Sequence, residues 1–303
     1  MGVSNRYILE QGPVLGVLAK VALGAARQAA GHAPASGGAT KTPGPEIRAN
    51  VSPRPPELLR DYVRHVGGDP SAYRGRVPAH FFPQWGFPLQ ARTLEGISYP
   101  MHKVLNAGCR IEMNAPLPAG KPLVATATLV DIDDNGRRAV LNTRIVTGTA
   151  AAPDALVANT FALVPLSGGD KKPSGAKPKP KARPQVPNGA REIAFWRIGP
   201  KAGLDFAKLT GDFNPLHWVP AYARASGFRN VILHGFSTMA RAIEGLNRAH
   251  FSGDVDAMKT VDVQFTRPLI LPARVGLYLD GQDFYVGDAP GGPAYLTGSF
   301  TLR

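Results

Sequence analysis

Residues 167–184 read Ser-Gly-Gly-Asp-Lys-Lys-Pro-Ser-Gly-Ala-Lys-Pro-Lys-Pro-Lys-Ala-Arg-Pro, with six basic residues and no large aliphatic side chain. Such a stretch cannot bury enough apolar surface to offset the entropy of ordering it. Its prolines make it a semi-extended tether. Residues 167–190 are therefore expected to be an interdomain linker, and the chain must find its cores on either side of it.

The two sides present the same order of elements. Before the linker, residues 57–66 have Leu58, Leu59, Tyr62 and Val63 at helical spacing with Gly67 and Gly68 as a stop. The aromatic, proline-punctuated residues 77–100 read as a buried, interrupted helix. Strand-like runs follow at 110–113, 122–133, 138–149 and 156–165, and Asp133-Asp-Asn-Gly136 marks a hairpin between two of them. After the linker, a strand at 193–198 precedes helical runs at 203–209, 219–225 and 236–249. Strands at 260–265, 273–280, 284–286 and 294–302 complete the chain. Ile111-Glu-Met-Asn-Ala-Pro-Leu-Pro and Val263-Gln-Phe-Thr-Arg-Pro-Leu-Ile fall at corresponding places, which points to a degenerate internal duplication. Helix first and antiparallel sheet after, twice over, is an α+β architecture. The expected divisions are a helical arm and connector (1–42), a first domain (43–166), the linker (167–190) and a second domain (191–303). Residues 32–56, rich in Ala, Gly and Pro, read as a connector.

Composition bounds the partners. A length of 303 residues suits two ordinary domains, and 44% hydrophobic with 19% charged residues describes a globular chain. The net charge of +13 asks for an anionic partner, which nucleic acid, a phosphorylated carrier, an acidic protein or a membrane surface would all satisfy. The basic residues concentrate in the linker with no stacking or groove-reading motif, so nucleic acid is not expected. The lone Cys109 rules out an internal disulfide and a cysteine-built zinc site, and agrees with a cytoplasmic location. Residues 14–26 are apolar but interrupted by Lys20, with Arg27 following, too short for a membrane span. They read as a packing arm rather than a signal peptide.

Chemistry concentrates in residues 206–235. Gly211 and Pro215 pin a non-helical loop holding Asp212, Asn214 and His217. Asp212 is an acceptor carboxylate and His217 titrates near neutrality, a pair suited to proton transfer. The same trio also makes an Asx-type turn with a structural His, and the loop alone does not decide. Gly235 shifts the balance, because a glycine opening a helix lets a ligand oxygen approach the exposed N–H groups, an oxyanion site in form. His234 beside it reads as packing or capping the turn. A zinc site from Asp212, His217 and His234 matches no standard ligand spacing.

The run Leu209-Thr-Gly-Asp-Phe-Asn-Pro-Leu-His217, preceded by Phe206 and followed by Ala223, resembles the signature of the MaoC-like, (R)-specific enoyl-CoA hydratase (hydratase 2) family. Gly227-Phe228, Ile232-Leu-His-Gly235 and Val263-Gln-Phe-Thr-Arg-Pro-Leu are similar to the segments that follow in that family. Val219 stands where the family has a helix-capping Asp, and Val231 where it has Pro. The first domain lacks any Asp-x-Asn-Pro-x-His and resembles the non-catalytic partner in double-hotdog members. The resemblance implies a tandem (double) hotdog fold, each half a long helix wrapped by an antiparallel sheet. It implies a lyase of fatty-acyl metabolism that hydrates trans-2-enoyl thioesters reversibly to (3R)-hydroxyacyl thioesters. By the same resemblance Asp212 and His217 activate water, Asn214 orients the loop and the Gly235 N–H holds the thioester oxygen. No resident cofactor or metal is implied, CoA or acyl carrier protein being the substrate's carrier, and a homodimer is a further expectation. A hotdog thioesterase would need an acid on the central helix, where Glu244 stands alone, and an acyl-thioester-binding protein without activity is the third reading. Phe81, Phe82, Trp85 and Phe87 could line an acyl pocket, though core packing is the simpler account.

Overall fold

The turn between residues 134 and 138 shows how local chemistry sets the sheet register. Gly136 takes φ of 77°, and its N–H donates to Asp134 Oδ1 at 2.8 Å. Asn135 Oδ1 accepts from the N–H groups of Arg137 and Arg138, both at 3.0 Å. The turn closes β5 (Leu123–Asp134) onto β6 (Arg138–Gly148), and β7 (Leu156–Pro165) continues the meander. Along β5, Leu123, Ala125, Ala127 and Leu129 are buried while their neighbours are half-exposed, the period of two that puts one strand face on a core.

The computed structural model describes residues 2–12, 14–16, 40–166 and 183–303. In the first half β1 (Ile47–Val51) precedes the helix Pro56–His65, and short β2 (Arg76–Val77) leads to the helix Pro83–Thr93. Then come β3 (Leu105–Met113), the short β4 (Leu117–Pro118) and the β5–β7 meander. The second half runs from β8 (Arg191–Ile198) through the helices Ala202–Thr210, Pro220–Ala225 and Gly235–Ala249. It ends with β9 (Met258–Phe265), β10 (Ala273–Asp280), β11 (Asp283–Gly287) and β12 (Ala294–Leu302).

Ten of these strands form one antiparallel sheet in the order β1-β5-β6-β7-β3-β9-β12-β11-β10-β8. Read from either edge the connectivity is the same: the first strand of the half, then its meander, then the strand that follows the central helix. The duplication read from sequence is thus present in the topology. The halves join where β3 pairs with β9, Cys109 opposite Val263 and Ile111 opposite Val261. The helix Pro83–Thr93 lies against β1, β5 and β6, and the helix Gly235–Ala249 against β8 and β12. The two meet through Phe82 and Phe87, whose rings stand edge-on to Phe236 at 5.7 and 5.0 Å. Phe81, Phe82, Leu89, Met239, Ile243 and Leu246 are buried in the same core, each large apolar side chain stabilising the fold by about 1.5–3 kcal/mol.

One expectation is corrected. Residues 47–51, read as part of a connector, form edge strand β1, with Ile47 opposite Ala127 and Val51 opposite Leu123. Prolines 43, 45, 53, 55 and 56 flank the strand without interrupting it, which an edge strand tolerates. The aromatic stretch resolves into β2, a 3-10 turn at Ala79–Phe81 and the helix Pro83–Thr93, with Pro88 inside it. Of the expected linker, residues 167–182 lie outside the described residues, as do residues 17–26 of the expected arm. At the end of the expected linker the chain docks on the second half, Val186 donating its N–H to Gly292 O at 2.9 Å. Among the described residues no helix is long and apolar enough to cross a membrane.

Candidate active site

The helix Ala202–Thr210 ends because Gly211 adopts the left-handed conformation, φ 84°, its N–H closing on Ala207 O at 2.7 Å. The chain leaves the helix in a loop tied by its own polar side chains. Asp212 Oδ1 accepts from Asn214 N–H at 3.3 Å, and Asn214 Oδ1 accepts from Leu216 N–H at 3.1 Å, capping the 3-10 turn Pro215–His217. Asn214 is exposed, and its side chain ties the loop through the Leu216 N–H. The turn folds back onto its own helix so closely that a Cβ on Gly203 would stand 2.1 Å from His217 O. Only glycine fits there, a constraint that sequence reasoning missed.

His217 is half-buried, and its Nδ1 lies 2.9 Å from Ile232 O. A carbonyl can only accept, so Nδ1 carries the proton and the neutral ring keeps its lone pair on Nε2. Burial lowers its pKa below the ordinary 6.5, against the opposing pull of the Asp212 carboxylate and the Ile232 carbonyl. The ring of His234 stacks on it, centroids 3.6 Å apart and planes 26° apart. His234 Nε2 donates to Asp212 O at 2.9 Å, leaving Nδ1 buried and without a partner among the described residues. Burial first, then the neighbouring His217, pushes the His234 imidazole down to about 3. His234 therefore acts as a neutral brace: it holds the Asp212 backbone with one edge and orients His217 with its face.

His234 also caps the central helix. Its carbonyl accepts from Ser237 and Thr238 N–H, both at 3.1 Å. The preceding N–H groups, those of Gly235 and Phe236, have no acceptor among the described residues and sit at the positive end of the helix dipole. Gly235 is partly accessible, and the Phe265 ring stands 3.0 Å from where its Cβ would be, so a side chain there would collide.

One side-chain ligand atom from each of Asp212, His217 and His234 lies within 4.8 Å of the others. Stacked imidazoles that each spend one nitrogen on a backbone carbonyl aim their remaining lone pairs along near-parallel planes, a poor fit to a tetrahedral ion. The arrangement suits proton transfer instead: a carboxylate, a neutral base with a fixed tautomer, and free N–H groups for a developing oxyanion.

The first half keeps the turn and loses the chemistry. Asp69 caps the 3-10 turn Pro70–Tyr73, its Oδ1 accepting from Ser71 N–H at 2.9 Å, as Asn214 does for Leu216. Two residues before Asp69 stands Gly67 where the other loop has Asp212, and three after it Ala72 where the other has His217. Of the aromatic stretch, Phe81, Phe82 and Trp85 are core, Trp85 Nε1 donating to Thr147 Oγ1 at 3.0 Å.

Residues 176–287 match the family model described as the MaoC like domain. Over 176 residues the chain is 32% identical to enoyl-CoA hydratase ChsH3 of Mycobacterium tuberculosis, covering 56% of this chain and 58% of that protein, so the match spans less than two thirds of the relative's length. The MaoC-like dehydratase of Phytophthora capsici superposes with a TM-score of 0.69 at 19% identity, over 86% of this chain and 95% of that one. A conserved hypothetical protein of Mycobacterium tuberculosis, described as having a double hotdog fold, superposes with a TM-score of 0.54 at 13% identity over 86% of this chain and 96% of its own. The fold is a double hotdog.

Proposed function

Starting from a chain that carries a MaoC-like domain in its second half, we propose that this protein adds water reversibly to trans-2-enoyl thioesters, giving (3R)-hydroxyacyl thioesters. The observation that carries the reading is the Asp212–His217 pair held beside the free N–H groups at Gly235. In this reading water lies between the Asp212 carboxylate and His217 Nε2, the free acceptor edge of that ring. As its oxygen bonds to C3, its proton passes to this pair, and a proton is returned to C2. Negative charge moves onto the thioester oxygen, where the Gly235 N–H stabilises it most in the transition state. These groups supply every proton transfer, so CoA or acyl carrier protein enters only as the carrier of the substrate. Both carriers are anionic, in keeping with the chain's net charge of +13.

Glu244 gives no support to a thioesterase reading, since it is 1% exposed and already accepts from Tyr73 and His80. The test is hydration of crotonyl-CoA by Asp212→Asn and His217→Ala. Each is expected to lose at least about 100-fold in kcat with the fold intact, and full activity in both would sink the mechanism.

A further inference from the structure

The catalytic loop is gripped by a side chain almost two hundred positions away in sequence. Gln11 is fully buried, and its Nε2 donates to Lys208 O at 3.3 Å and to Leu209 O at 3.2 Å. These carbonyls belong to the last turn of the helix Ala202–Thr210, where intrahelical donors run out. The helix itself closes Ala207 O through Gly211, so the Gln11 amide caps the next two acceptors in line. Because carbonyls only accept, the orientation of the amide is fixed, and its Oε1 must face the other way. There it accepts from Gln84 Nε2 at 3.0 Å, so a residue of the first half's central helix holds the clamp in place. Gln11 Oε1 and Val14 Cγ1 lie 3.2 and 2.8 Å from where a Gly211 Cβ would stand, so the segment presses directly on the residue before Asp212.

The rest of the segment is anchored to both halves. Tyr7 OH donates to Asp61 Oδ2 at 2.6 Å on the helix Pro56–His65. Val3 N–H donates to Asp205 Oδ1 at 3.2 Å, and Lys208 Nζ donates to Val3 O at 3.0 Å. We propose that residues 3–12 form a strap whose Gln11–Gln84 amide pair is a positioning device for catalysis: it caps the helix that launches Asp212 and so sets where the acid of the site stands. This proposal rests on the hydratase reading for its kinetic consequence. Gln11 touches no reacting atom and acts through the backbone at 208–211.

The experiment compares wild type with Gln11→Leu, Gln11→Glu and Gln84→Leu in the full chain, by steady-state hydration of crotonyl-CoA and by amide hydrogen exchange. Gln11→Glu keeps the shape and the acceptor for Gln84 but has no N–H to give the carbonyls, so it remains informative should the apolar variant fold poorly. Displacement of about 1 Å costs up to about 100-fold, so kcat is expected to fall about 10- to 100-fold in both Gln11 variants with KM changed by less than about threefold. Exchange should quicken at 208–217 and stay unchanged in the sheet. In the Gln11→Leu/Gln84→Leu double variant the losses should not add, because the two amides act as one unit. A lowered melting temperature with unchanged kcat and unchanged exchange at 208–217 would make Gln11 merely structural and overturn the proposal. If the wild type itself leaves enoyl-CoA unhydrated, the hydratase reading fails. The exchange comparison then decides the strap by itself, unchanged protection at 208–217 overturning it.

Discussion

His217 and His234 stack face to face with ring centroids 3.6 Å apart, each donating one N–H to a backbone carbonyl and neither free to gain charge cheaply. For the base the consequence is direct. A proton arriving at His217 Nε2 occupies the lone pair that the proposed hydration needs. Since burial lowers the His217 pKa below the ordinary 6.5, the basic form persists into mild acid. The acidic limb of kcat/KM against pH is expected to lie below 6.5 in the free enzyme. A limb centred above that value would contradict the reading of His217 as a neutral base.

Stability should follow pH through the other ring. An unfolded His234 protonates near 6.5, while the folded one resists until about 3. The folded pKa is the lower of the two, so the unfolded chain binds more protons in that window. Stability is therefore complete above about 6.5 and is lost progressively as pH falls toward about 3. His65, driven down to about 3 mainly by burial, adds in the same direction, but its partial exposure weakens its share. Urea midpoints between neutral pH and about pH 4 should drop by more in the wild type than in His234→Asn, which has nothing to titrate there.

Gly235→Ala tests the proposed oxyanion site by geometry. The added methyl would meet the Phe265 ring at 3.0 Å, so either the ring gives or the helix start shifts. Loss of one oxyanion donor costs about 100- to 1,000-fold in comparable sites. A displaced but retained N–H should cost less, about 10-fold in kcat. Combining it with Phe265→Leu removes the obstruction and should recover most of that loss. A double variant no better than the single one would place the defect elsewhere.

Val219 offers a gain. It stands at the N-cap of the helix Pro220–Ala225 in an extended conformation and provides no side-chain cap. Val219→Asp supplies an acceptor for the first free N–H groups and should stabilise by about 1 kcal/mol, read as a higher urea midpoint. The hydration rate should stay within about twofold, because Val219 touches neither Asp212 nor His217 through any side-chain hydrogen bond.

What could be read ahead of the fold, and what could not, follows sequence distance. β10 and β12 were legible to the residue, since alternation and flanking turns are local properties. So was the loop of Asp212, Asn214 and His217, because Gly211 and Pro215 punctuate it. β1 was hidden by its prolines, and its pairing with β5 depends on a strand more than seventy positions on. Gln11 was illegible for the same reason: nothing near it announces that it will cap Lys208 and Leu209. His234 was visible as a packing residue, but its stack on His217 needs the Ile232 carbonyl to turn the partner ring. The unity of the sheet across β3 and β9 was likewise beyond local reading, since a linker suggests separable cores and says nothing of their contact.

Glu244 separates structural from catalytic use of a buried acid. Its Oε1 accepts from Tyr73 OH at 2.6 Å and from His80 Nε2 at 3.0 Å, and Tyr62 OH completes the cluster on His80 Nδ1 at 3.0 Å. Gly68 lies against the carboxylate, where a Cβ would come within 2.4 Å. Four of these residues come from the first half and one from the second, so the cluster ties the halves together in the interior. Glu244→Leu would strand the Tyr73 hydroxyl and the His80 N–H in a dry site, at a cost of about 3–5 kcal/mol. Glu244→Gln keeps an acceptor for them and should cost only about 1–2 kcal/mol. Nine residues beyond Gly235, the group lies about 13 Å along the helix axis from the oxyanion donors. The folded Gln variant should therefore hydrate crotonyl-CoA within about twofold of wild type, and wild type should release no free thiol from acyl-CoA. If instead Glu244→Gln abolished turnover at undiminished stability, the acid would belong to the chemistry, and the assignment of catalysis to Asp212 and His217 would have to be redrawn around the central helix.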